Sequence, residues 1–440
     1  MTESTKAPKN ICVVGLGYVG LTLSVVLAEK GFRVYGSTND EGLAERLRNG
    51  MPHFHERGLD VLLKKFVNKN LFISAAIPED VPMDVFIISV GTPLDKITKK
   101  PIINHIESAV TDVAKRLRPG NLVVLRSTVP VGLTRSYVLP ILQKYQPERF
   151  YLAFAPERTI EGKALSELKF LPQVIGALDE DSLNLASEIF IQVTKTIIRV
   201  SSLETAEMIK ILDNSFRDLT FAFANEMGMV ARKLGLNAVE LIEAANFGYS
   251  RTNVPVPGFV GGACLEKDPH ILVDFATAAG YTPRLVSMAR EVNESLPAFT
   301  AGLMKSHLAA HSKDITRAKI FISGLAFKGR PETDDLRGSP TVDFLNCIKE
   351  AGAQNIFGHD FVVKREAIAG LGITPCTLEE GLRGADCVLF MNNHEGYDSF
   401  DYERFLPYLN PNAFFFDGWH LFSPEIVKSY NIAYEGLGAR

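Results

Sequence analysis

The sequence is poor in cysteine and carries no excess of either charge. Its five cysteines are scattered over 440 residues without a CxxC pair, which argues against a disulfide framework and a structural zinc site. Lys and Arg number 47 against 51 Asp and Glu, a net charge of −4, so a polycationic nucleic-acid binder is ruled out. His307 and His311 are spaced i, i+4, but no carboxylate motif accompanies them. We therefore expect an ordinary globular protein without a metal site.

Long uncharged runs are also scarce, with one exception near the N-terminus. Eighteen consecutive uncharged residues, Ile11–Ala28, follow Lys6 and Lys9, a pattern that resembles a signal peptide or a short membrane span. Glycines interrupt this run, no small-residue cleavage site follows it, and no second apolar segment of this kind occurs. We expect a cytoplasmic protein that binds neither membrane nor nucleic acid.

The order of predicted elements indicates three regions, in keeping with about 150 residues per domain. Residues 1–200 alternate short apolar strands with helices, the pattern of a parallel sheet. Residues 201–312 are predicted to be helical and begin with one long helix, Glu204 to Leu234. The alternation resumes in residues 313–440. The predicted fold class is α/β, with two doubly wound Rossmann-like domains joined by a long central helix and a helical middle domain.

A glycine-rich turn follows the first predicted strand. The sequence GLGYVG places Gly15, Gly17 and Gly20 as GxGxxG between an apolar strand and a helix. Such glycines make a tight turn, let the backbone approach a pyrophosphate and pack the helix on the strand, while the helix N-terminus presents N–H groups to the phosphates. We predict a dinucleotide site here.

The second strand departs from the usual dinucleotide pattern at its end. An acid normally binds the ribose hydroxyls there, but this chain has Thr38 at that position and Asp40 two places later. Either residue makes a weaker ribose contact, or discrimination against NADP is relaxed.

The segment GGACLEKD holds the cysteine most suited to chemistry. Gly261 and Gly262 precede Cys264 and keep its thiol accessible, while Lys267 and a helix start favour the thiolate. Asp268 falls on the same face if the stretch is helical. The other four cysteines lie in apolar elements or in no motif, and we interpret them as small buried hydrophobic residues.

On the long helix, Lys210 and Asn214 are i, i+4 neighbours. A lysine and an amide together can stabilise a developing oxyanion. Spacing alone favours the alternative of a surface lysine beside a polar residue.

Six motifs occur in the order found in the UDP-glucose/GDP-mannose dehydrogenase family, which this chain resembles from about residue 10 to 425. They are GLGYVG, VGTP (90–93), STVPVG (127–132), APERTIEG (155–162), GGACLEKD, and GLAFK with TDDLRGSP (324–328 and 333–340). The resemblance implies oxidation of the C6 alcohol of a nucleotide sugar to a carboxylate with two NAD per sugar.

The resemblance also implies roles for single residues. Cys264 corresponds to the nucleophile that holds the intermediate aldehyde as a thiohemiacetal and then a thioester. Asp268 corresponds to the residue that orients or activates the hydrolytic water, with Thr128 and Glu157 nearby, and Lys210 with Asn214 to the oxyanion-stabilising pair. Motifs and resemblance together give catalytic residues Cys264, Lys210, Asn214, Asp268, Thr128 and Glu157; cofactor-binding residues Gly15, Gly17, Tyr18, Val19, Gly20, Thr38, Asp40, Thr92, Thr128 and Arg337; and substrate-binding residues Glu161, Lys210, Asn214, Arg217, Tyr249, Arg251, Gly261 and Lys328.

Two departures from the family touch the substrate pocket. GRPE after Lys328 makes the spacing to Thr333 two residues longer than is common, and VPVPGFVGG lacks the fuller PGxGxGG pattern. NSFRDLTFAFANEM resembles members that act on 2-acetamido sugars, which favours UDP-N-acetylglucosamine or UDP-N-acetylmannosamine. The alternative for Arg217 is an ion pair with Asp213 or Asp218, and UDP-glucose remains the alternative substrate.

Two other functional classes remain open from the sequence. One is a two-electron hydroxyacid dehydrogenase of the 6-phosphogluconate type, which would not need Cys264. The other is a non-catalytic nucleotide-sugar sensor. In every case the apolar helix from Glu204 to Leu234 predicts a homodimer or higher homo-oligomer.

Overall fold

The computed structural model describes residues 9–438. The chain forms two compact units. The first comprises the chain up to Asp213 together with His270–Tyr281, and the second comprises Asn214–Pro269 together with the chain from Thr282 onward.

The first unit is built on an eight-stranded sheet with the order β3-β2-β1-β4-β5-β6-β7-β8. The strands are β1 (Asn10–Val14), β2 (Arg33–Ser37), β3 (Leu71–Ser74), β4 (Val85–Ile88), β5 (Leu122–Leu125), β6 (Tyr151–Phe154), β7 (Gln173–Ala177) and β8 (Ile197–Arg199). The helices are α1 (Tyr18–Glu29), α2 (Glu41–Arg48), α3 (Leu59–Phe66), α4 (Asn104–Ala114), α5 (Leu139–Tyr145), α6 (Ala164–Phe170) and α7 (Glu180–Phe190).

Successive residues of β1 enter the two hydrophobic cores on opposite faces of this sheet. Ile11 and Val13 belong to the core that contains the helix residue Leu23, whereas Cys12 and Val14 belong to the core under α4. Both faces are covered, so the strand is continuously apolar, as is usual for parallel sheets. This explains the uncharged run of the sequence: it is a buried strand, a turn and the buried helix α1.

Four helices follow the first sheet: α8 (Leu203–Leu234), α9 (Ala238–Asn246), α10 (Asp268–Ala278) and α11 (Arg284–Ala310). Helix α8 has 32 residues, or about 48 Å at 1.5 Å per residue. No helix in residues 9–438 is long and apolar enough to cross a membrane.

The second unit contains a six-stranded sheet with the order β11-β10-β9-β12-β13-β14, and all its strand pairs are parallel. Its strands are β9 (Ile320–Ser323), β10 (Ile356–His359), β11 (Thr374–Pro375), β12 (Cys387–Phe390), β13 (Phe414–Asp417) and β14 (Ala433–Gly436). Its helices are α12 (Pro340–Glu350), α13 (Arg365–Gly370), α14 (Leu378–Leu382) and α15 (Pro424–Ser429). Aromatic residues of β13 enter both cores: Phe414 and Phe416 on one face, Phe415 on the other.

The predicted fold class is confirmed: two Rossmann-like domains, one with a mainly parallel sheet and one with a wholly parallel sheet, and a long helix are present. The expectation of a wholly parallel first sheet was wrong, because β7 pairs with β6 in the antiparallel direction. Strands β8, β11 and β14 are edge strands of the two sheets. β8 and β11 are short and partly exposed, which leaves little apolar pattern to detect.

Candidate active site

The glycine loop at the start of α1 is held by close backbone approaches. Gly15 has φ +92°, and a Cβ there would lie 2.9 Å from Val90 Cγ1. A Cβ on Gly20 would lie 1.8 Å from the carbonyl oxygen of Gly15, to which the Ser89 hydroxyl donates a hydrogen bond at 2.8 Å. Only glycine fits at either position. Gly17 is exposed at the N-cap of α1 and has open space around it, as a loop that receives a pyrophosphate requires.

A cavity of about 510 Å³ opens at the carboxyl ends of β1, β2 and β3, where Rossmann folds bind dinucleotides. Its lining consists of Val14, Gly15, Ser37, Thr38, Asn39, Ala75, Ala76, Ile77, Val90, Asn104, His105, Ser108, Ala109, Asp112 and Arg116. Thr38 is therefore part of the cavity wall. Asp40 instead caps α2, where its carboxylate accepts a hydrogen bond from Leu43 N at 3.0 Å. Cavity and glycine loop fit a dinucleotide.

Tyr18 of the glycine loop is tied to a residue that the sequence did not single out. The buried carboxylate of Glu56 accepts a hydrogen bond from the Tyr18 phenol. The N–H of Gly162 lies 2.7 Å from both the phenol oxygen and Glu56 Oε2. Burial and the neighbouring carboxylate raise the pKa of Tyr18. Glu56 thus connects the glycine loop to the loop that carries Glu161.

The motif STVPVG, residues 127–132, is anchored from two sides. Thr92, in the VGTP motif, donates its hydroxyl to the carbonyl of Thr128 at 2.7 Å. Glu207 of α8 accepts hydrogen bonds from Gly132 N at 2.6 Å and Thr134 N at 2.9 Å. Glu207 is buried, and burial raises its pKa. These contacts fix the backbone that presents Thr128.

Glu157 is a buried carboxylate with its charge compensated. Arg126 donates to its Oε2 at 2.5 Å, and the N–H groups of Arg158 and Thr159 donate to Oε1 at 2.8 and 2.9 Å. Burial alone would raise the pKa of Glu157. The charges of Arg126 and Lys210 together with these hydrogen bonds lower it by more, so its pKa lies below the ordinary value. Glu157 is therefore an ionised group rather than a proton donor near neutral pH.

Lys210 is buried on α8, so the alternative of an exposed surface lysine does not hold. Asn214, one turn further along the same helix and in the second unit, is also buried. The loop that holds the half-buried Glu161 is fixed in the first unit: Ile160 N donates to Glu167 Oε2 at 2.7 Å, and Arg158 pairs with Asp213 at 3.2 Å.

In the second unit, Asp268 is fully buried at the start of α10 and makes two polar contacts. Asn214 Nδ2 donates to its Oδ2 at 2.6 Å, and Lys267 Nζ lies 3.3 Å from its Oδ1. Asp268 N and Lys267 N donate to the carbonyl of Cys264 at 2.9 and 3.1 Å. The turn thus places the cysteine one helical turn before the carboxylate.

Cys264 differs from the other cysteines in exposure. It is exposed, Cys347 is half-buried, and Cys12, Cys376 and Cys387 are buried; none of the five, all within residues 9–438, forms a disulfide. Burial raises the pKa of Cys12 to about 12 and that of Cys376 to about 11. Because the thiolate is the nucleophile, these buried thiols are unreactive, and Cys264 is the accessible one.

The glycine pair before Cys264 is required by the backbone around Gly338. A Cβ on Gly261 would lie 2.3 Å from the carbonyl oxygen of Gly338, which accepts a hydrogen bond from Gly262 N at 2.9 Å. Gly262 has φ +94°, and a Cβ there would lie 2.5 Å from the Phe327 ring. The two glycines therefore let the RGSP and GLAFK motifs pack against the cysteine loop.

The remaining predicted substrate and cofactor residues of the second unit lie in loops or on exposed surface. Lys328 Nζ is 5.3 Å from the centre of the Phe327 ring, and Arg337 forms a bidentate pair with Asp335. The Arg251 guanidinium stacks 4.6 Å from the Tyr249 ring centre.

Arg217 is exposed on α8. Both of the acids considered as its partners are engaged elsewhere: Asp213 with Arg158, and Asp218 with Arg290 at 2.5 Å.

Within residues 9–438, no group of three or more His, Cys, Asp or Glu side chains is arranged to hold a metal ion. His307 and His311 lie at the end of α11, where His307 Nε2 is 2.9 Å from the carbonyl oxygen of Asn412.

Three family models match the chain in sequence order. They are the NAD binding domain (residues 9–194), the central domain (204–295) and the UDP binding domain (321–424) of the UDP-glucose/GDP-mannose dehydrogenase family. A UDP-N-acetyl-D-mannosamine dehydrogenase of Pyrococcus horikoshii is 33% identical over 399 residues, covering 89% of this chain and 91% of the relative.

Solved structures agree with this match. The fold superimposes on the UDP-D-ManNAc dehydrogenase of Pyrococcus horikoshii with a TM-score of 0.88 at 31% identity, covering 98% and 99% of the two chains. It superimposes on a UDP-glucose dehydrogenase of Pyrobaculum islandicum with a TM-score of 0.87 at 28% identity, covering both chains completely. With an NAD binding domain, a UDP binding domain and a relative of this similarity, the chain belongs to the UDP-glucose/GDP-mannose dehydrogenase family and is an NAD-dependent nucleotide-sugar dehydrogenase.

Proposed function

We propose that the enzyme oxidises the C6 alcohol of a UDP-N-acetylhexosamine to the uronate in a four-electron reaction, through a thioester on Cys264. The observation that carries this proposal is an exposed thiol one turn before a buried carboxylate that is held by an amide and a lysine. A two-electron alcohol dehydrogenase needs no such nucleophile, whereas oxidation to an acid requires that the aldehyde be retained between two steps.

Cys264 retains the aldehyde as a thiohemiacetal. Its thiolate adds to the C6 carbonyl and forms a C–S bond, and the carbonyl oxygen gains negative charge. Lys210 and Asn214 stabilise that oxygen, the lysine by charge and the amide by hydrogen bonding. Two NAD molecules, bound one after the other in the first unit, would each accept one hydride, the first removed from the C6 alcohol and the second from the thiohemiacetal.

Hydrolysis of the thioester completes the reaction. Asp268 takes a proton from a water molecule, the water oxygen attacks C6, and the C–S bond breaks with the thiolate as leaving group. Asn214 donates to Oδ2 of Asp268 at 2.6 Å, so the amide also orients the base. Glu157, ionised and anchored by Arg126, compensates the charge of Lys210. Thr128 helps to shape the site.

For the substrate, the names of the relatives favour UDP-N-acetylmannosamine. The exposed Arg217, whose neighbouring acids are engaged by other arginines, agrees with the 2-acetamido assignment made from its motif. Glu161, Tyr249, Arg251, Gly261 and Lys328 complete the proposed substrate residues, and Arg337 the cofactor residues. UDP-glucose is the second candidate, because the fold also matches a UDP-glucose dehydrogenase closely.

We further propose residues 1–200 as the NAD-binding domain, 201–312 as the central domain and 313–440 as the UDP-binding domain. A homodimer through α8 is the proposed assembly.

A panel of UDP- and GDP-sugars, with NADH formation as the readout, tests the proposed function. We expect UDP-N-acetylmannosamine or UDP-N-acetylglucosamine to give the highest kcat/KM. Cys264→Ala should lower uronate formation by about 10³-fold or more, equivalent to about 4 kcal/mol of lost transition-state stabilisation. Cys347→Ala, at a half-buried cysteine of α12, is the matched control and should retain activity. Uronate formation by Cys264→Ala at the wild-type rate would contradict the proposal.

A further inference from the structure

We propose that the adenosine end of the cavity in the first unit accepts a 2′-phosphate, so that this enzyme binds and uses NADP as well as NAD. The proposal concerns the cofactor and does not depend on which sugar is oxidised. It rests on the residues at the end of β2.

The end of β2 contributes three uncharged residues to the cavity lining: Ser37, Thr38 and Asn39. Thr38 is fixed in place, since its N–H donates to the carbonyl of Ser74 at 3.1 Å. In NAD-specific Rossmann folds an acid at this position binds the ribose hydroxyls and repels a 2′-phosphate. Here the hydroxyl of Thr38 and the amide of Asn39 are groups that hydrogen-bond to a hydroxyl or to a phosphate.

The nearest acid along the chain does not replace the missing one. Asp40 is the N-cap of α2, its Oδ1 accepts from Leu43 N at 3.0 Å, and it is not part of the cavity lining. Turning this carboxylate toward a ribose would leave the first turn of α2 without its cap. The carboxylate of Asp40 is therefore engaged in capping α2 and does not take the place of the acid that normally discriminates against NADP.

The charged side chains of the cavity lining sum to no net charge. Asp112 is near the end of α4 and Arg116 follows two residues after that helix, while His105 is in its first turn; all three line the cavity. Arg116 also contacts the exposed Glu79 at 3.2 Å, and Asp112 lies 3.6 Å from Lys115. The lining thus carries one cation and one anion, and no net negative charge opposes a phosphate.

Calorimetric titration of the enzyme with NADH and with NADPH, in the absence of sugar, tests the proposal through binding alone. We expect the two dissociation constants to agree within about tenfold in the wild type, because no acid separates the two cofactors. Thr38→Asp should weaken NADPH binding by about 50-fold or more while NADH binding is kept or strengthened. Glu45→Gln, at an exposed position of α2 outside the cavity lining, is the control and should leave both dissociation constants near the wild-type values.

Two results would overturn the proposal. One is a wild type that binds NADH at least about 100-fold more tightly than NADPH; the other is a Thr38→Asp variant that binds NADH normally and NADPH as well as the wild type does. Retained NADH binding by Thr38→Asp shows that the variant is folded. Because no sugar is present, failure of this test leaves the proposed sugar oxidation untouched, and the sugar panel with NAD tests that separately.

Discussion

At the scale of single residues, Arg126 and Glu157 form a buried ion pair. The side chains are 1% and 9% exposed, so removing one partner leaves an uncompensated buried charge. We expect Glu157→Gln to lower the free energy of unfolding at pH 7 by about 3 kcal/mol. Chemical denaturation measures this directly.

The pH dependence of this loss follows from the sign of the pKa shift. The folded pKa of Glu157 lies below its ordinary value of 4.5, so the pair stabilises the fold above that pH and its contribution is lost as the pH falls through the folded pKa. The difference between wild type and Glu157→Gln should stay constant from about pH 8 to pH 5 and shrink below about pH 4.5. Asp181→Asn, which breaks the exposed pair with Arg149, is the control and should cost at most about 0.5 kcal/mol. A loss no larger than the control's would contradict the assignment.

The sequence singled out residues that lie in a motif and missed residues that only the fold brings together. Cys264 was chosen among five cysteines, and its exposure agrees with that choice. Glu56 was not noticed, because its partners Tyr18, Gly162 and Leu165 are 38, 106 and 109 residues away in the chain. Spacing alone also gave the wrong environment for Lys210, since periodicity does not reveal what covers a helix.

At the scale of elements, the cysteine loop depends on close backbone packing. Gly261→Ala would bring a Cβ to 2.3 Å from the carbonyl oxygen of Gly338, and the backbone would have to move. We expect a loss of about 2 kcal/mol or more in unfolding free energy, together with lower activity, because the displaced loop carries Cys264.

A glycine in helix α11 supplies the matched control. Gly302 lies within this helix, and a Cβ there would meet nothing within 4 Å. Gly302→Ala should therefore stabilise the protein by about 0.5–1 kcal/mol through helix propensity. If the two substitutions shifted Tm equally, close packing against Gly338 would not be the cause of the stability lost in Gly261→Ala.

Elements with a strong apolar pattern were predicted to within a few residues. The long helix predicted from Glu204 to Leu234 is α8, which begins one residue earlier and ends at the predicted residue. The antiparallel direction of β7 was missed, because a buried apolar strand has the same pattern in either direction.

At the scale of the whole molecule, α8 carries an apolar stripe that we expect to be covered by a second copy of the chain. Leu212, Phe216, Phe223, Val230 and Leu234 are between 45% and 68% exposed, and at 100° per residue they lie within about 40° of one another around the helix. Phe216→Glu combined with Phe223→Glu should convert a dimer into a monomer in sedimentation velocity at micromolar concentration. Phe170→Glu, at a 70% exposed position on α6, should leave the dimer intact. A wild-type monomer would contradict this expectation.

The succession of two Rossmann-like folds with a long helix between them was predictable from the sequence, because the strand–helix alternation and the long helix have different periodicities. The substrate was not, because the sugar contacts depend on loops such as that of Tyr249, whose placement no periodic pattern determines. The count of electrons follows from the thiol of Cys264, whereas the identity of the sugar depends on those loops.

The most direct measurement of the central claim is the stoichiometry of cofactor reduction. The wild-type enzyme, given limiting UDP-N-acetylmannosamine and excess NAD, should form two NADH for each sugar consumed, with the uronate as the product and no free aldehyde. One NADH per sugar, with an aldehyde or ketone as the final product, would contradict the four-electron reaction and the role of Cys264.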